Sequence, residues 1–246
     1  MKNVAALVLA AGKGTRMYSD LAKVLLPICG RPMLSYSLAT LEKLKLDLVL
    51  VVVGHQAESI QKIFAEAPVE WVLQTKQLGT GHAVLCALPH LVGFAGSVLI
   101  CCGDTPLLTA ETLRTFLTTH VNNDSNLSVL SMLLEAPGSY GRIVRNSAGE
   151  VRGIVEAKDA TGKESDIREV NTGIYCADAA LLHQVIPEIG NANVQGEYYL
   201  TDMIALAIEN DWKVQAVSGS DPTEFMGVNT KEELKAAEKI IAAREA

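Results

Sequence analysis

The sequence predicts an α/β fold: a mostly parallel central sheet with helices on both faces, joined to a smaller β-rich half. Three observations carry this. Segments up to about Val121 alternate strand and helix four times. The stretch DLVLVVV, Asp47–Val53, is apolar without alternation, as in a parallel strand covered on both sides. After Asn126 the rhythm breaks into closely spaced strands, two of them joined by NSAGE, which is hairpin chemistry.

Each element follows from local chemistry. Val4–Ala10 is short, apolar and ended by glycine, so it reads as a buried strand. A basic, glycine-bearing loop runs to about Ala22. Pro32 opens a helix in which Met33, Leu38, Leu41 and Leu44 share one face. After Asp47–Val53, a short helix passes through Ile60 and Phe64, and Val69–Leu73 is the next strand. Thr80–Leu91 is helical, Ser97–Cys102 is a strand, and Thr109 caps a helix that lasts to about Val121. This order predicts right-handed crossovers. The second half offers strands at Leu127–Leu134, Gly141–Arg145, Val151–Glu156, Thr172–Cys176 and Lys213–Val217, with helices at Ala179–Ile186 and Tyr198–Asn210. The final segment, KEELKAAEKIIAAREA, is rich in helix formers but poor in large apolar side chains, and reads as an arm rather than core. The predicted division is residues 1–229 as one domain and 230–246 as a helical arm.

Bulk properties narrow the function. A chain of 246 residues buries enough surface to fold without staples. Its net charge of −7 argues against broad contact with nucleic acid or anionic membrane, so any anion site must be local. Five cysteines without a CxxC spacing predict reduced thiols and neither a disulfide framework nor a zinc site. Lys2 and Asn3 lead straight into the first strand, so no secretory leader is expected, and no apolar run has membrane-spanning length. A cytoplasmic location is the expectation.

The loop LVLAAGKGTRM, Leu7–Met17, is the first candidate for chemistry. Its lysine lies between the glycines, which is wrong for a nucleotide-triphosphatase phosphate loop. Met17 stands where a dinucleotide fingerprint needs a third glycine or alanine. What remains is a strand end with small residues at Ala10, Ala11 and Gly12, followed by the cations Lys13, Arg16 and Lys23. Small residues admit a base or phosphate close to the backbone, and the cations hold phosphate oxygens. The loop is either such a phosphate site or a solvated basic turn.

Other segments have the same two-sided character. In GDTPLL, Asp104 follows the strand SVLICC, at the end where open parallel sheets bind ligands; it is a metal ligand or a turn residue. In LQTKQLGTGHA, Gln74 can donate and accept toward a base edge, with Gly79 and Thr80 beside it, or Thr80 is an N-cap. His82 reads as structural. Glu156 and Asn171 are ligands for sugar hydroxyl or amide groups, or exposed caps. Asn229, just before the last helix, is an N-cap by its position alone. No nucleophile with a partnering base stands out, which favours electrostatic catalysis of phosphate chemistry.

Taken in order, LAAGKGTRMYSDLAKVL, QLGTGHA, GDTPLL, YGRIVR, GIVEAKDA, NTGIY, QGEYYLTD and GVN resemble the N-terminal half of the bacterial bifunctional enzymes that make UDP-N-acetylglucosamine. That half is an N-acetylglucosamine-1-phosphate uridylyltransferase of Rossmann-like nucleotidyltransferase fold, and the similarity covers about Val4 to Asn229. The resemblance implies UTP and N-acetylglucosamine 1-phosphate as substrates and Mg²⁺ as cofactor. It implies that Ala10, Ala11, Gly12, Gln74, Gly79 and Thr80 bind the nucleoside. Arg16 and Lys23 would then be catalytic at the phosphates, and Asp104 and Asn229 the metal ligands. Gly103, Gly141, Glu156 and Asn171 would form the sugar site. Cys102 stands where the family often has tyrosine, which keeps another sugar 1-phosphate, such as glucose 1-phosphate, or dTTP as an alternative. The family's acetyltransferase half, a trimerising left-handed β-helix, has no counterpart here. The resemblance therefore implies no acetyl transfer or acetyl-CoA binding, and a monomer. A non-catalytic nucleotide-binding module is the remaining rival.

Overall fold

The computed structural model describes residues 3–245; Met1, Lys2 and Ala246, the outer ends of the two predicted ranges, lie outside the described residues. The centre of the molecule is β1, Val4–Ala10. Its side chains alternate: Ala5 and Leu7 enter one apolar cluster, and Val4, Ala6, Val8 and Ala10 another. Both faces are therefore covered, and a strand with both faces covered has no polar positions to spare. Its neighbours are β4 (Leu48–Val53) on one side and β6 (Ser97–Cys102) on the other, both parallel to it. Beyond β4 lies β5 (Glu70–Leu73), again parallel. Beyond β6 lie β10 (Glu169–Asp178), β7 (Leu127–Leu133) and β11 (Val214–Ser218). Only β10 runs against its neighbours on this path.

Helices α1 (Met33–Glu42), α2 (Ala57–Ile63) and α4 (Ala110–Asn122) bury Leu34, Leu41, Ile60, Leu113, Phe116 and Leu117 on one face. Helices α3 (Thr80–Ala87), α5 (Ala179–Val185) and α6 (Met203–Glu209) cover the other. The Thr109 cap of α4 is present, its side chain accepting from Thr112 N at 3.2 Å. The hairpin of β8 (Arg142–Arg145) and β9 (Val151–Val155) extends the sheet through β8 against β10. Among the described residues no helix is long and apolar enough to cross a membrane.

Several sequence expectations change. The strand expected at Thr172–Cys176 is twice as long, because a bulge between Asn171 and Ile174 lets Glu169–Asn171 keep pairing with β7. Gly173 sits in that bulge at φ +78, a conformation that a side chain disfavours. The helix expected from Tyr198 starts later, since the Tyr198 backbone bonds Leu78 O and Gly81 N at 2.9 and 2.8 Å. Helix α3 stops at Ala87 and continues as a tighter turn over Leu88–Leu91. Pro32 stands at the N-cap of α1, as expected, and also closes a two-residue pairing of β2 (Pro27–Ile28) with β3 (Arg31–Pro32).

The last helix, α7 (Lys231–Glu245), departs most from its reading as an arm. Ala237 and Ile241 are buried with Met17, Ile28, Met33, Tyr36, Leu107 and Val228 in a third apolar cluster. Arg244 Nη1 also donates to Leu107 O at 2.7 Å. One small and one branched apolar residue four positions apart are enough to seat the helix.

Candidate active site

Strand order leaves β1 toward β4 on one side and β6 on the other. The crevice at the carboxyl ends of β1 and β6 is thus a switch point, where open α/β sheets bind ligands. A cavity of about 600 Å³ opens there. Its walls include Ala10, Ala11 and Gly12 from the end of β1, Gln74, Gly79 and Thr80 from the β5–α3 segment, and Lys23 and Asp104. With Lys13, nine of the sequence candidates therefore share one space.

The cationic loop is held in shape before it meets any ligand. Met17 is 1% exposed and anchors the loop in the third cluster, the position that a dinucleotide fold gives to a small residue. The Gln56 side chain accepts from Ala22 N at 2.7 Å and donates to Asp20 O at 2.6 Å. Gly14 takes φ +63, and a Cβ there would stand 2.5 Å from Lys23 Cβ, so Lys23 crosses the loop only because residue 14 is glycine.

Lys23 Nζ bonds Asp104 Oδ2 and, at 2.9 Å, Asn229 Oδ1. Arg16 Nη2 reaches the same Asn229 oxygen at 3.1 Å. Two cations and two side-chain oxygens are thus gathered at the tip of β6. Lys23 and Asp104 side chains are only 12% and 19% exposed, so their charges act through little water. Val228 N donates to Asp104 O at 2.8 Å, which ties the segment before Asn229 to the strand tip. Asn229 is not the cap of α7. Thr230 fills that role: its hydroxyl accepts from Glu233 N, and Glu233 Oε2 accepts from Thr230 N and Asn229 N at 2.9 and 2.6 Å. The Asn229 amide nitrogen donates to Gly227 O at 3.3 Å, which leaves its Oδ1 to face the cations.

Because one ammonium meets both Asp104 Oδ2 and Asn229 Oδ1, a single metal ion can do the same. A carboxylate and an amide oxygen are hard donors that suit a small divalent cation once phosphate oxygens complete its shell. Among the described residues no cluster of three or more His, Cys, Asp or Glu could hold a metal, so a shell made by protein alone is not on offer.

Gln74 is 3% exposed. Its amide nitrogen donates to Gly79 O at 3.1 Å and meets His82 Nδ1 at 3.0 Å. The expected donor-and-acceptor group is thereby reduced to an acceptor, its Oε1. Thr80 is not an N-cap; Gly79 is, and Thr80 Oγ1 accepts from Leu200 N at 3.1 Å.

Gly141, Glu156 and Asn171 do not line the cavity but form a group beside it. Asn171 N donates to Gly141 O at 2.9 Å, and a Cβ on Gly141 would stand 3.6 Å from both Glu156 carboxylate oxygens. Asn171 Nδ2 donates to Tyr175 Oη at 2.7 Å, and its Oδ1 accepts from Gly173 N at 2.9 Å. Cys102 of the cavity wall brings its thiol to 4.0 Å from Gly173 O, which links the group to the crevice. Burial raises the Glu156 carboxyl above its ordinary value; the Thr201 hydroxyl, donating at 3.1 Å, partly offsets this, while Asp159 and Asp202 add to it. Burial, Asp104 and Cys101 raise the Cys102 thiol, so it stays neutral.

Gly103 is placed differently from the expectation. Its N–H goes to Leu9 O at 2.9 Å, and a Cβ would point at Leu34, Ala10 and Val24 in the core. Only its carbonyl remains for a ligand. Two polar cavity residues, Gln77 and Glu197, were not candidates at all, and neither were the apolar Leu9, Val24 and Ala83. Glu197 falls inside QGEYYLTD, but nothing in its spacing marks it.

A small-residue loop lining a crevice at the strand ends, with two cations and a carboxylate–amide oxygen pair at its mouth, is an arrangement suited to a nucleotidyltransferase. A sequence model of the MobA-like NTP transferase domain matches residues 6–155, and the chain belongs to that family. It is also similar to proteins named "Bifunctional protein GlmU". The relative from Pelobacter propionicus is 48% identical over 245 residues, 99% of this chain and 53% of the relative. That from Trichlorobacter lovleyi is 48% identical over 241 residues, 98% of this chain and 52% of the relative. That from Geobacter sulfurreducens is 47% identical over 238 residues, 96% and 50%. The chain spans about half the length of these curated relatives.

Proposed function

We propose that the protein transfers a uridylyl group from UTP to N-acetylglucosamine 1-phosphate, giving UDP-N-acetylglucosamine and pyrophosphate. The observation that supports it is the convergence of Arg16, Lys23, Asp104 and Asn229 at the mouth of the crevice holding Gln74, Gly79 and Thr80. The ordered motifs and the similarity to proteins named "Bifunctional protein GlmU" support the choice of nucleotide and sugar.

In this reading a phosphate oxygen of the sugar phosphate attacks the α-phosphorus of UTP, and the bond to the pyrophosphate oxygen breaks in line. Both reactants are anionic. Ala10, Ala11 and Gly12 let the nucleotide lie against the backbone, while Gln74, Gly79 and Thr80 hold the base and ribose. Lys23 and Arg16 stabilise the negative charge that builds at the α-phosphate. Asn171 and Glu156 orient the sugar on the Cys102 side. Asp104 and Asn229 would hold Mg²⁺, which when bound neutralises phosphate charge and polarises the phosphorus. Much of the acceleration comes from holding the reactants together, up to about 7–11 kcal/mol of such a barrier.

The protein incubated with UTP, Mg²⁺ and N-acetylglucosamine 1-phosphate should release pyrophosphate. Folded protein that releases none above the blank ends this reading. One observation favours a second acceptor: Cys102 gives the sugar side a small neutral wall. Faster turnover with glucose 1-phosphate than with the N-acetyl sugar would decide for it.

A further inference from the structure

We infer that His82 is a positioning residue that fixes the Gln74 carboxamide as a hydrogen-bond acceptor, and thereby selects a pyrimidine carrying N3–H over cytosine. This rests on the uridylyltransferase reading and deepens it.

Gly79 sets the orientation of the Gln74 amide. Its carbonyl can only accept, so the atom 3.1 Å away is the amide nitrogen of Gln74, not the oxygen. The same nitrogen lies 3.0 Å from His82 Nδ1. An amide nitrogen donates and does not accept, so Nδ1 must be the bare nitrogen and the ring proton sits on Nε2. The Cys86 thiol, 3.8 Å from the same Nδ1, approaches as a further weak donor. Burial raises the Cys86 thiol, which keeps its proton. Both hydrogens of the Gln74 amide are thus committed to the wall, and Oε1 has no hydrogen-bond partner among the described residues. Gln74 is nearly fully buried and lines the crevice, so Oε1 is the group it offers a base.

Uracil presents N3–H between two carbonyls and matches an acceptor. Cytosine presents a bare N3 and meets it lone pair to lone pair. Discrimination of this kind needs a group that cannot turn over. His82 supplies half of the restraint. With leucine at 82 the second amide hydrogen loses its partner, and turning toward the cavity gives it one in cytosine N3. His82 itself is half-buried on α3 and stands back from the crevice wall, its ring centroid 6.3 Å from that of Tyr198. It acts through Gln74.

The test compares kcat and KM for UTP and CTP in the wild type, His82→Leu and His82→Asn. The asparagine oxygen can stand where Nδ1 stands and accept; leucine only fills the space. His82→Leu should raise KM for UTP about tenfold, leave kcat within about threefold, and cut the preference for UTP over CTP about tenfold. His82→Asn should recover most of that preference. Independently of any variant's folding, long-range ¹⁵N–¹H spectra of the wild type should show His82 with its proton on Nε2. Unchanged preference in His82→Leu, no recovery in His82→Asn, or an Nδ1–H tautomer overturns the assignment of His82 alone. A wild type that turns over no UTP overturns the uridylyltransferase reading and this inference with it.

Discussion

At the scale of single residues, the candidates that sequence position exposes are those at strand tips. Asp104 and the β1 loop follow directly from apolar runs, so their place at the sheet's carboxyl edge is readable. What Arg16 and Asn229 do there is not, because their meeting spans 213 residues of separation. Replacing Arg16 with alanine should slow turnover by roughly 10²–10³-fold, as removal of one charge-stabilising donor does. Steady-state rates at saturating substrate check this, and a loss under about threefold would reduce Arg16 to a solvated loop residue. Glu156 carries a different signature. Its folded pKa is raised, chiefly by burial, so the folded state holds the proton more tightly than the unfolded chain. Stability is then fullest below the ordinary glutamate pKa and declines as pH rises through the raised one. Glu156→Gln keeps an acceptor for the Thr201 hydroxyl and removes the charge. It should melt higher than the wild type near pH 7, with the gap closing toward pH 4, while KM for the sugar phosphate rises. A melting gap that does not depend on pH would show that burial of the charge is not what Glu156 contributes. Neither the raised carboxyl nor the Gln74–His82 pairing is legible in the sequence, since both depend on neighbours brought in by other elements.

At the scale of elements, apolar runs mark strands well where both faces are buried. Strands β1 and β6 fall where hydrophobic patterning alone puts them, because every residue of each has to be apolar or small. Patterning fails where polar residues continue a strand. Glu169 and Asn171 look like a strand's exterior, yet the bulge at Gly173 carries them on in β10. The reason is visible in their partners. Arg145 of β8 grips Glu169 with Nε and Nη2 at 2.7 and 2.8 Å, and Ser131 of β7 donates to it at 2.8 Å. Burial alone would raise the Glu169 carboxyl, but the bonds from Arg145 and Ser131 outweigh it and hold the pKa below the ordinary value. This stabilisation is present above the unfolded carboxylate range and is lost as pH falls through the depressed pKa. Arg145→Met should therefore cost about 1 kcal/mol near neutral pH, a figure kept low because Arg145 is 34% exposed. The cost should shrink in acid, and urea melts at two pH values check it. Equal destabilisation at both would mean that the arginine stem, not its charge, secures the hairpin.

At the scale of the whole molecule, three apolar clusters among the described residues divide the labour. Two lie on the faces of the sheet and hold the scaffold. The third is small and stands under α7, and three of its members come from the segments that carry the proposed site residues. Met17 follows Arg16, Val228 precedes Asn229, and Leu107 lies three residues beyond Asp104. Helix α7 also holds the Asn229 backbone through Glu233. The terminal helix thus fixes the geometry in which Arg16, Lys23, Asp104 and Asn229 meet, although its sequence reads as a polar arm. Two truncations of similar kind separate this role from bulk stability. Leu182→Ala opens a hole in a sheet cluster, and Ile241→Ala opens one beneath α7. Each should cost about 2–4 kcal/mol, with Ile241 at the lower end because it borders a surface groove. Assayed well below both melting temperatures, Leu182→Ala should keep a near-normal kcat, since the sheet stays intact. Ile241→Ala should lose roughly tenfold or more, because a shift of about 1 Å in positioned groups is costly to catalysis. Equal kcat in the two variants would show that α7 stabilises the fold without setting the site.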